Sequence, residues 1–428
     1  MMGLTGGTAG QSADSVVDLG EEGLSEGDRI DEYLEEYFES GVEVRVPAGE
    51  YEYHGSGFGG SRGDAAVVGQ GEVVLINEAG AYREDIEATD GVVAVRNVTL
   101  RGKSGPEETR FRLTAEEEAR VVVDNLNLPD GGDARGFYVP SGHAGVIEIR
   151  NCYVANNSED GIHASSAAKG ANGRLIVENC FLHNNGTTGI RLGSSESAAR
   201  NCLVLNDGKP PVCSASSHDM RGIGVQEPGE DIVIEDCEIV HSDDGAGGPI
   251  ELHDEAEGGT GSIRNVLIRN ETDTDAINGK GNTADCWTAE SVSIVGDGNL
   301  EYPANFDDVC VGDDCPAPTG ENPRQVETDD PGDDRSIDGR GENWKTVVFD
   351  GTAADTITAY SFRVTGEVVR DDAISTDPDG NRWDEIDDIV DDDSVSGVVS
   401  KGIDGYRYTG NLVALDFDGA AAVTIDDC

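Results

Sequence analysis

The phrase AGVIEIRNCYVANNSEDGIHAS at residues 144–165 is repeated as GRLIVENCFLHNNGTTGIRLG at 173–193. Each copy alternates apolar and polar residues, closes on Asn-Cys, alternates again, turns on an Asn pair and ends on Gly-Ile. Related phrases start at Gly91, Ala119, Glu196, Asp231 and Gly261. The polar residue that closes the first strand is Asn97, Asn125, Asn151, Asn179, Asn201, Asp236 and Asn265, at spacings of 28, 26, 28, 22, 35 and 29 residues. A unit of this length cannot bury its apolar side alone, so successive units must stack. The period within a unit is two, with no helical spacing. Short strands broken by Asn and Gly turns therefore predict a solenoid of parallel β-coils.

The closing Asn is expected where one strand turns into the next, its amide bonding the local backbone and the Asn of the adjacent coil. The residue after it starts the next inward strand: Val98, Leu126, Cys152, Cys180, Cys202, Cys237 and Val266. Cysteine alternates there with Val and Leu, so these four thiols read as small buried hydrophobes. Four cysteines at one position of successive coils form a line, which is not a tetrahedral metal cage.

The Asn ladder, the Gly-Ile strand and the coil length resemble right-handed parallel β-helix proteins of the pectate-lyase-like superfamily. Residues 27–55, GDRIDEYLEEYFESGVEVRVPAGEYEYHG, add to the resemblance. They read as a helix with Ile30, Leu34, Tyr37 and Phe38 on one face, followed by a strand, and resemble the helix that caps such solenoids. The expected organisation is a flexible N-terminus or signal-peptide remnant over 1–26, the β-helix over 27–300, an acidic Pro/Gly-rich linker over 301–335 and a sandwich-like antiparallel β-domain over 336–428. Phrases such as YRYTG at 406–410 and the terminal LDFDGAAAVTIDD resemble a module carried by secreted proteins of halophilic archaea.

Thirty basic against 86 acidic residues leave a formal charge of −56. That excludes nucleic acid as a natural partner, and no apolar run is long enough for membrane insertion. Such an acidic, lysine-poor surface suits a salty habitat, where ions screen self-repulsion. The small-residue start and the nine cysteines fit export to the cell surface or the medium. One disulfide is expected from Cys286 to Cys310 or Cys315. Cys213 and Cys428 have no assigned partner, and the oligomeric state is left open.

The Gly-Ile strands define the face where chemistry is expected. The residue between two inward side chains points outward, giving a row of Tyr138, His163, Arg191, Gly224, Glu251 and Asn278. A flanking row holds Ser165, Gly193, Gln226, His253 and Lys280. A third, just before the Gly, holds Arg135, Asp160, Thr188, Arg221 and Asp275. The longest gap adds the loop 207–222, which brings His218 and Asp219 beside Arg221. In the families this chain resembles, the corresponding face is a polysaccharide groove. Basic residues gathered on one stripe of an acidic chain point to an anionic, uronate-containing polysaccharide or cell-surface glycan.

Two reactions suit these residue types. In a lyase, an Arg or His would remove the proton beside a uronate carboxylate, with Arg191 or Arg221 as the base candidate and His163 as a further catalytic residue of the same row. Cations would neutralise the enolate, or Ca²⁺ held by Asp160, Asp219, Asp243 and Asp244. In a glycoside hydrolase, the acid and base carboxylates would come from Glu251, Asp219, Asp243 and Asp244, oriented by His218 or His253. Neither the Asn-x-Asp, Asp-Asp, Gly-His-Gly series of polygalacturonases nor the Arg-x-Pro-x-x-Arg of pectate lyases is present. A non-catalytic carbohydrate-binding or adhesion protein is the third reading. Farther on, DPDGNRWDEIDD at 377–388 places Asp377, Asp379 and Asn381 at the first positions of an EF-hand-like Ca²⁺ loop. Arg382 stands there where the turn needs Gly.

Overall fold

The computed structural model describes residues 15–77, 83–103, 109–164, 173–210, 219–242, 247–312, 315, 345–350, 358–364, 368–370, 389–390, 394–399, 403–408, 412–418 and 422–426. The chain divides into two compact units, 1–320 and 321–428. Ser165, Cys213, His218, Asp243, Asp244, Asp377, Asp379, Asn381 and Cys428 lie outside the described residues.

The first unit is a parallel β-helix. Three ladders of in-register parallel strands run along it. One contains Phe137–Val139, Ile162–Ala164, Thr188–Leu192, Arg221–Val225, Ile250–Leu252 and Ile277–Gly279. The second runs from Val146–Arg150 to Trp287–Glu290. The third runs from Tyr153–Ala155 to Val309–Val311. Inward positions of all three form one continuous apolar core, including Ile162, Ile190, Ile223, Ile250 and Ile277.

The repeated asparagines occupy the corner between the second and third ladders. Asn97, Asn125, Asn151, Asn179, Asn201, Asp236 and Asn265 all have φ between 52° and 56°. This left-handed conformation is one that Asn tolerates better than other side chains. Their amides link coil to coil. Asn179 Nδ2 donates to Asn151 Oδ1 at 3.2 Å, and Asn201 Nδ2 to Asn179 Oδ1 at 2.7 Å. Ser291, φ 55°, makes the same corner one coil farther on without the Asn that marks the others. In the Asn-Asn pairs the first residue turns, with φ 61° at Asn156 and 49° at Asn184. The second is buried, and Asn157 Nδ2 donates to Asn185 Oδ1 at 2.8 Å.

The Gly before each Ile has a different cause. A Cβ on Gly161 would lie 2.9 Å from the Gly189 carbonyl, and one on Gly189 would lie 2.8 Å from that of Gly222. The coils approach too closely there for any side chain.

Asn179 gives a stability test of the corner. Asn179→Gly keeps the turn but loses two ladder bonds, each worth about 1 kcal/mol. Asn179→Ala also forces a Cβ into the left-handed region, at about 1–2 kcal/mol more. Denaturant titration should therefore rank wild type above Gly and Gly above Ala. Equal stability of the two variants would show that the corner carries no conformational cost.

Cys152, Cys180, Cys202 and Cys237 are buried free thiols. Each Sγ donates to the carbonyl two residues back at 3.1–3.3 Å. Burial pushes the Cys180 and Cys237 thiols well up, as structural, unreactive thiols require.

Three expectations need correction. The disulfide joins Cys310 to Cys315, with Cα atoms 5.6 Å apart, and Cys286 is a free, exposed thiol. A turn at Gly312 returns Cys315 toward the strand that carries Cys310, while Cys286 closes a short 3-10 turn, Thr283–Cys286. At the N-terminal end the solenoid begins before residue 27. Ser15–Asp18 pairs in parallel with the strand Val42–Glu52, and Leu19 and Leu24 enter the core. At the other end it continues past 300, because Val309–Val311 pairs with Val292–Val295 and Phe306 is buried. Short polar segments at both ends look like linker in composition, yet backbone pairing to the adjacent coil orders them.

The helix is Asp31–Tyr37, and Ile30, Leu34 and Phe38 enter the core beside it. Asp31 is buried rather than solvated. Its carboxylate accepts the backbone N–H groups of His54 and Ser56 at 2.9–3.0 Å, tying the helix to the next loop.

Among its described residues the second unit has two four-stranded antiparallel sheets. One orders Val368–Arg370, Ile403–Tyr408, Lys345–Asp350 and Ala422–Asp426, and the other Ile389–Val390, Ser394–Val399, Thr358–Val364 and Leu412–Asp418. Val347, Phe349, Phe362, Val395, Tyr406 and Tyr408 belong to its core.

Candidate functional site

The first ladder sets the expected outward row in register. Arg112 lies beside Tyr138, then come His163, Arg191, Gly224, Glu251 and Asn278 on successive coils. Packing along the row buries two of its members, leaving His163 6% and Glu251 3% exposed. The row carries two clusters with a gap between them.

The first cluster centres on His163. Asp160 precedes the same strand and is buried, and its Oδ2 lies 2.5 Å from His163 Nδ1. Arg135 Nε lies 3.1 Å from that nitrogen as well. One nitrogen cannot donate to Asp160 and accept from Arg135 together. The shorter, charge-assisted contact wins, so Nδ1 carries the proton and Nε2 carries the lone pair. Arg135 is satisfied by Glu159 at 2.6 Å and lies 3.5 Å from Asp160. Burial raises the Asp160 carboxyl, but the His163 hydrogen bond and the nearby cations outweigh it and hold the carboxyl low. Burial pulls His163 down, against the opposing pull of Asp160. The pair is therefore carboxylate and neutral imidazole at neutral pH. Tyr138 packs edge-on to His163 with ring centroids 5.2 Å apart. Arg191, one coil on, is paired with Glu227 at 3.3 Å. Its Nε is buried without a hydrogen-bond partner among the described residues, and burial lowers its pKa.

The second cluster centres on Glu251. Its Oε1 receives Arg221 Nε at 2.6 Å, His253 Nε2 at 3.0 Å and Lys280 Nζ at 3.0 Å. Arg221 also binds Asp219 through Nη2, and His253 binds Asp254 at 3.1 Å. Gly224 stands between the clusters, in register with Arg191 and Glu251, and is covered by the side chains of Thr188 and Arg221, which lie 3.2 and 3.8 Å from where its Cβ would be.

All six residues expected to be catalytic thus lie on one face, in two groups: His163 with Arg191, and Asp219, Arg221, Glu251 and His253 together. His163 and Glu251 are three coils apart, about 14 Å at ~4.8 Å per coil. Two expectations change. The basic stripe is not an uncompensated positive surface, because Arg135, Arg191, Arg221 and Lys280 each have a carboxylate partner. Asp160 and Asp219 face protein cations rather than each other. Among the described residues no group of three or more His, Cys, Asp or Glu could hold a metal ion. Sequence reasoning missed Glu159 and Glu227, the acids that compensate Arg135 and Arg191. Their only signal was position, each lying one or two residues from a row already identified.

A family model described as a right handed beta helix region matches residues 113–296, which include both clusters. No curated protein sequence matches the chain at a significant level. Among solved structures, the enzymatically active domain of tailspike protein 4 of bacteriophage CBA120 is similar at 12% identity and TM-score 0.39, over 95% of this chain and 68% of that one. The A-module of the Azotobacter vinelandii mannuronan C-5 epimerase AlgE4 is similar at 12% identity and TM-score 0.36, over 69% and 95%. A Yersinia enterocolitica family 28 exopolygalacturonase follows at 12% and 0.34, over 70% and 77%. Values this low transfer no residue role, and the fold rests on the strand ladders and the family match.

Proposed function

We propose that this chain is an extracellular or cell-surface polysaccharide-active protein that cleaves an anionic, uronate-containing polysaccharide by β-elimination. The observation that carries this reading is the Asp160–His163 pair set one coil from Arg191. Asp160 fixes the imidazole so that Nε2 takes the proton beside the uronate carboxylate. Arg191 stabilises the charge that develops on that carboxylate. The C–H electrons form the new double bond as the glycosidic C–O bond breaks, and in this reading the phenol of Tyr138, whose ring packs on the imidazole, gives its proton to the departing oxygen. The base is thus His163 rather than Arg191 or Arg221, since guanidinium groups paired with carboxylates keep their protons. The Cys310–Cys315 disulfide supports an oxidising location. Among the described residues no helix is long and apolar enough to cross a membrane.

The hydrolase reading draws on Asp219 and Glu251, two carboxylates joined through one guanidinium. Asp160 and Glu251 are too far apart for it, because inverting enzymes hold their carboxyls about 6.5–9.5 Å apart.

The test is cleavage of a panel of acidic polysaccharides across a range of salt, with and without Ca²⁺. It reads reducing ends together with the ultraviolet absorbance of an unsaturated uronate. Both signals rising together is the expected result. Reducing ends without absorbance would move the chemistry to Asp219 and Glu251. Retention on a polymer with neither signal would leave a binding protein and remove the catalytic roles.

A further inference from the structure

The same sheet face bears a cavity two to three coils before His163. It has a volume of about 340 Å³ and is lined, among the described residues, by Gly60, Ser61, Asp85, Ile86, Glu87, Arg112, Thr114, Pro140 and Gly142. None of these residues belongs to the two clusters. Register continues the outward row into it, through Asp85 beside Arg112 and Arg112 beside Tyr138. Its lining runs from Ser61, four coils before His163, to Arg112, two coils before, and Pro140, so at ~4.8 Å per coil its centre lies about 12 Å along the solenoid from the imidazole, roughly the span of two to three sugar rings.

The lining decides what fits. The Ser61 hydroxyl donates to Glu87, and no ion pair to Glu87 is formed among the described residues. Asp85 is held by Arg83 at 2.8 Å and lies 3.7 Å from Arg112. The lining holds two carboxylates, Asp85 and Glu87, against one cation, Arg112, so a uronate would bring a third carboxylate to a site that is already net negative. A neutral sugar meets no such penalty. Its hydroxyls donate to Asp85, Glu87 and the Ser61 oxygen and accept from Arg112 and Thr114, a mixed set that suits a polyol. The cavity volume falls in the range of small-molecule sites, about 300–1,000 Å³.

We infer that this cavity is a subsite for a neutral sugar residue, so that the polymer bound here alternates or branches between uronate and neutral units. The inference rests on the polysaccharide reading above and adds the identity of the residue two to three units from the reacting one.

Saturation-transfer NMR with methyl glucoside, methyl galactoside and methyl glucuronide tests it. In the wild-type chain a neutral glycoside should give signal, and the glucuronide should not displace it. Gly142→Leu fills the cavity. A Cβ there meets nothing within 4 Å and the backbone is not left-handed, so the variant should fold and lose the signal. Glu87→Gln should admit the glucuronide, and His163→Ala should leave neutral-glycoside binding in place. No neutral-glycoside signal in the wild type, or a signal unchanged by Gly142→Leu, would overturn the subsite. Polymer cleavage, measured alongside, keeps the two readings apart. Cleavage without glycoside binding at the cavity sinks only the subsite. Glycoside binding lost in Gly142→Leu, with no cleavage of any polymer, sinks only the lyase.

Discussion

His163→Ala is expected to lower kcat on the cleaved polysaccharide by about 10²–10⁴-fold, the usual contribution of a positioned general base. The fold should be untouched, because His163 points outward from its strand and the core beneath it is formed by Ile162 and Ala164. Asp160→Asn should also lower kcat, since an amide can donate to Nδ1 and so favour the tautomer whose proton sits on Nε2. That tautomer has no lone pair where the base is needed. KM should move less than kcat in both variants, because neither removes Arg191 or the cavity beyond Tyr138. The pH profile gives a second readout. Burial pulls His163 below the ordinary imidazole value, so the basic form persists, and activity with it, as pH falls through the range where a free imidazole would be protonated. Near-wild-type kcat in His163→Ala would rule out His163 as the base and return attention to Glu251 and Asp219.

Acid should destabilise the solenoid well before its carboxylates titrate. His143 and His241 are both fully buried, and burial lowers each from 6.5 to about 4. For His241 the geometry explains why the neutral form is held. Asn206 Nδ2 donates to its Nε2 at 2.6 Å, and its Nδ1–H donates to the Gly247 carbonyl at 3.1 Å. A second proton on Nε2 would meet the Asn206 amide hydrogens. Among the described residues neither ring nitrogen of His143 has a hydrogen-bond partner, so no contact among them offsets the cost of charging it. Above pH 6.5 both folded and unfolded chains carry neutral imidazoles, and the stability is fully present. Below it the unfolded chain binds protons that the folded chain refuses until pH is near 4. Stability is therefore lost as pH falls through that window, by about 3 kcal/mol for each histidine at ~1.36 kcal/mol per pKa unit. His241→Asn should remove about half of the slope, because register places Asn206 and Asn270 on either side and an Asn continues their ladder. His143→Leu should remove the other half and raise stability at neutral pH by deleting two unsatisfied buried nitrogens. Denaturant midpoints at several pH values, followed by circular dichroism, provide the measurement. An unaltered slope in the double variant would assign acid sensitivity to other groups.

The two predictions draw on different depths of information. His163 was placed on the outward row by counting residues from Gly161, and in-register pairing from Tyr138 to Asn278 bears that out. The role of His241 was not visible in this way. In the sequence it is one polar residue before an acidic loop. In the fold it occupies a place in a buried Asn column. Glu227 is similar: it follows a strand as an ordinary surface acid would, yet it neutralises Arg191 one coil away. The expected basic groove failed for this reason. Counting cations along a row says nothing of the carboxylates that adjoining turns swing beside them.

The solenoid, the corner asparagines, the buried cysteine line and the outward residues are all legible in one dimension. All of these follow from two periods, the alternation within a strand and the length of a coil, and a period survives in one dimension. Which charges neutralise one another, which cysteine closes the disulfide, where the coils begin and end, and where a cavity opens beside Arg112 emerge in three dimensions alone. Those depend on side-chain reach and on the contact of segments distant in the chain, at separations of a few ångströms that no spacing in the sequence encodes.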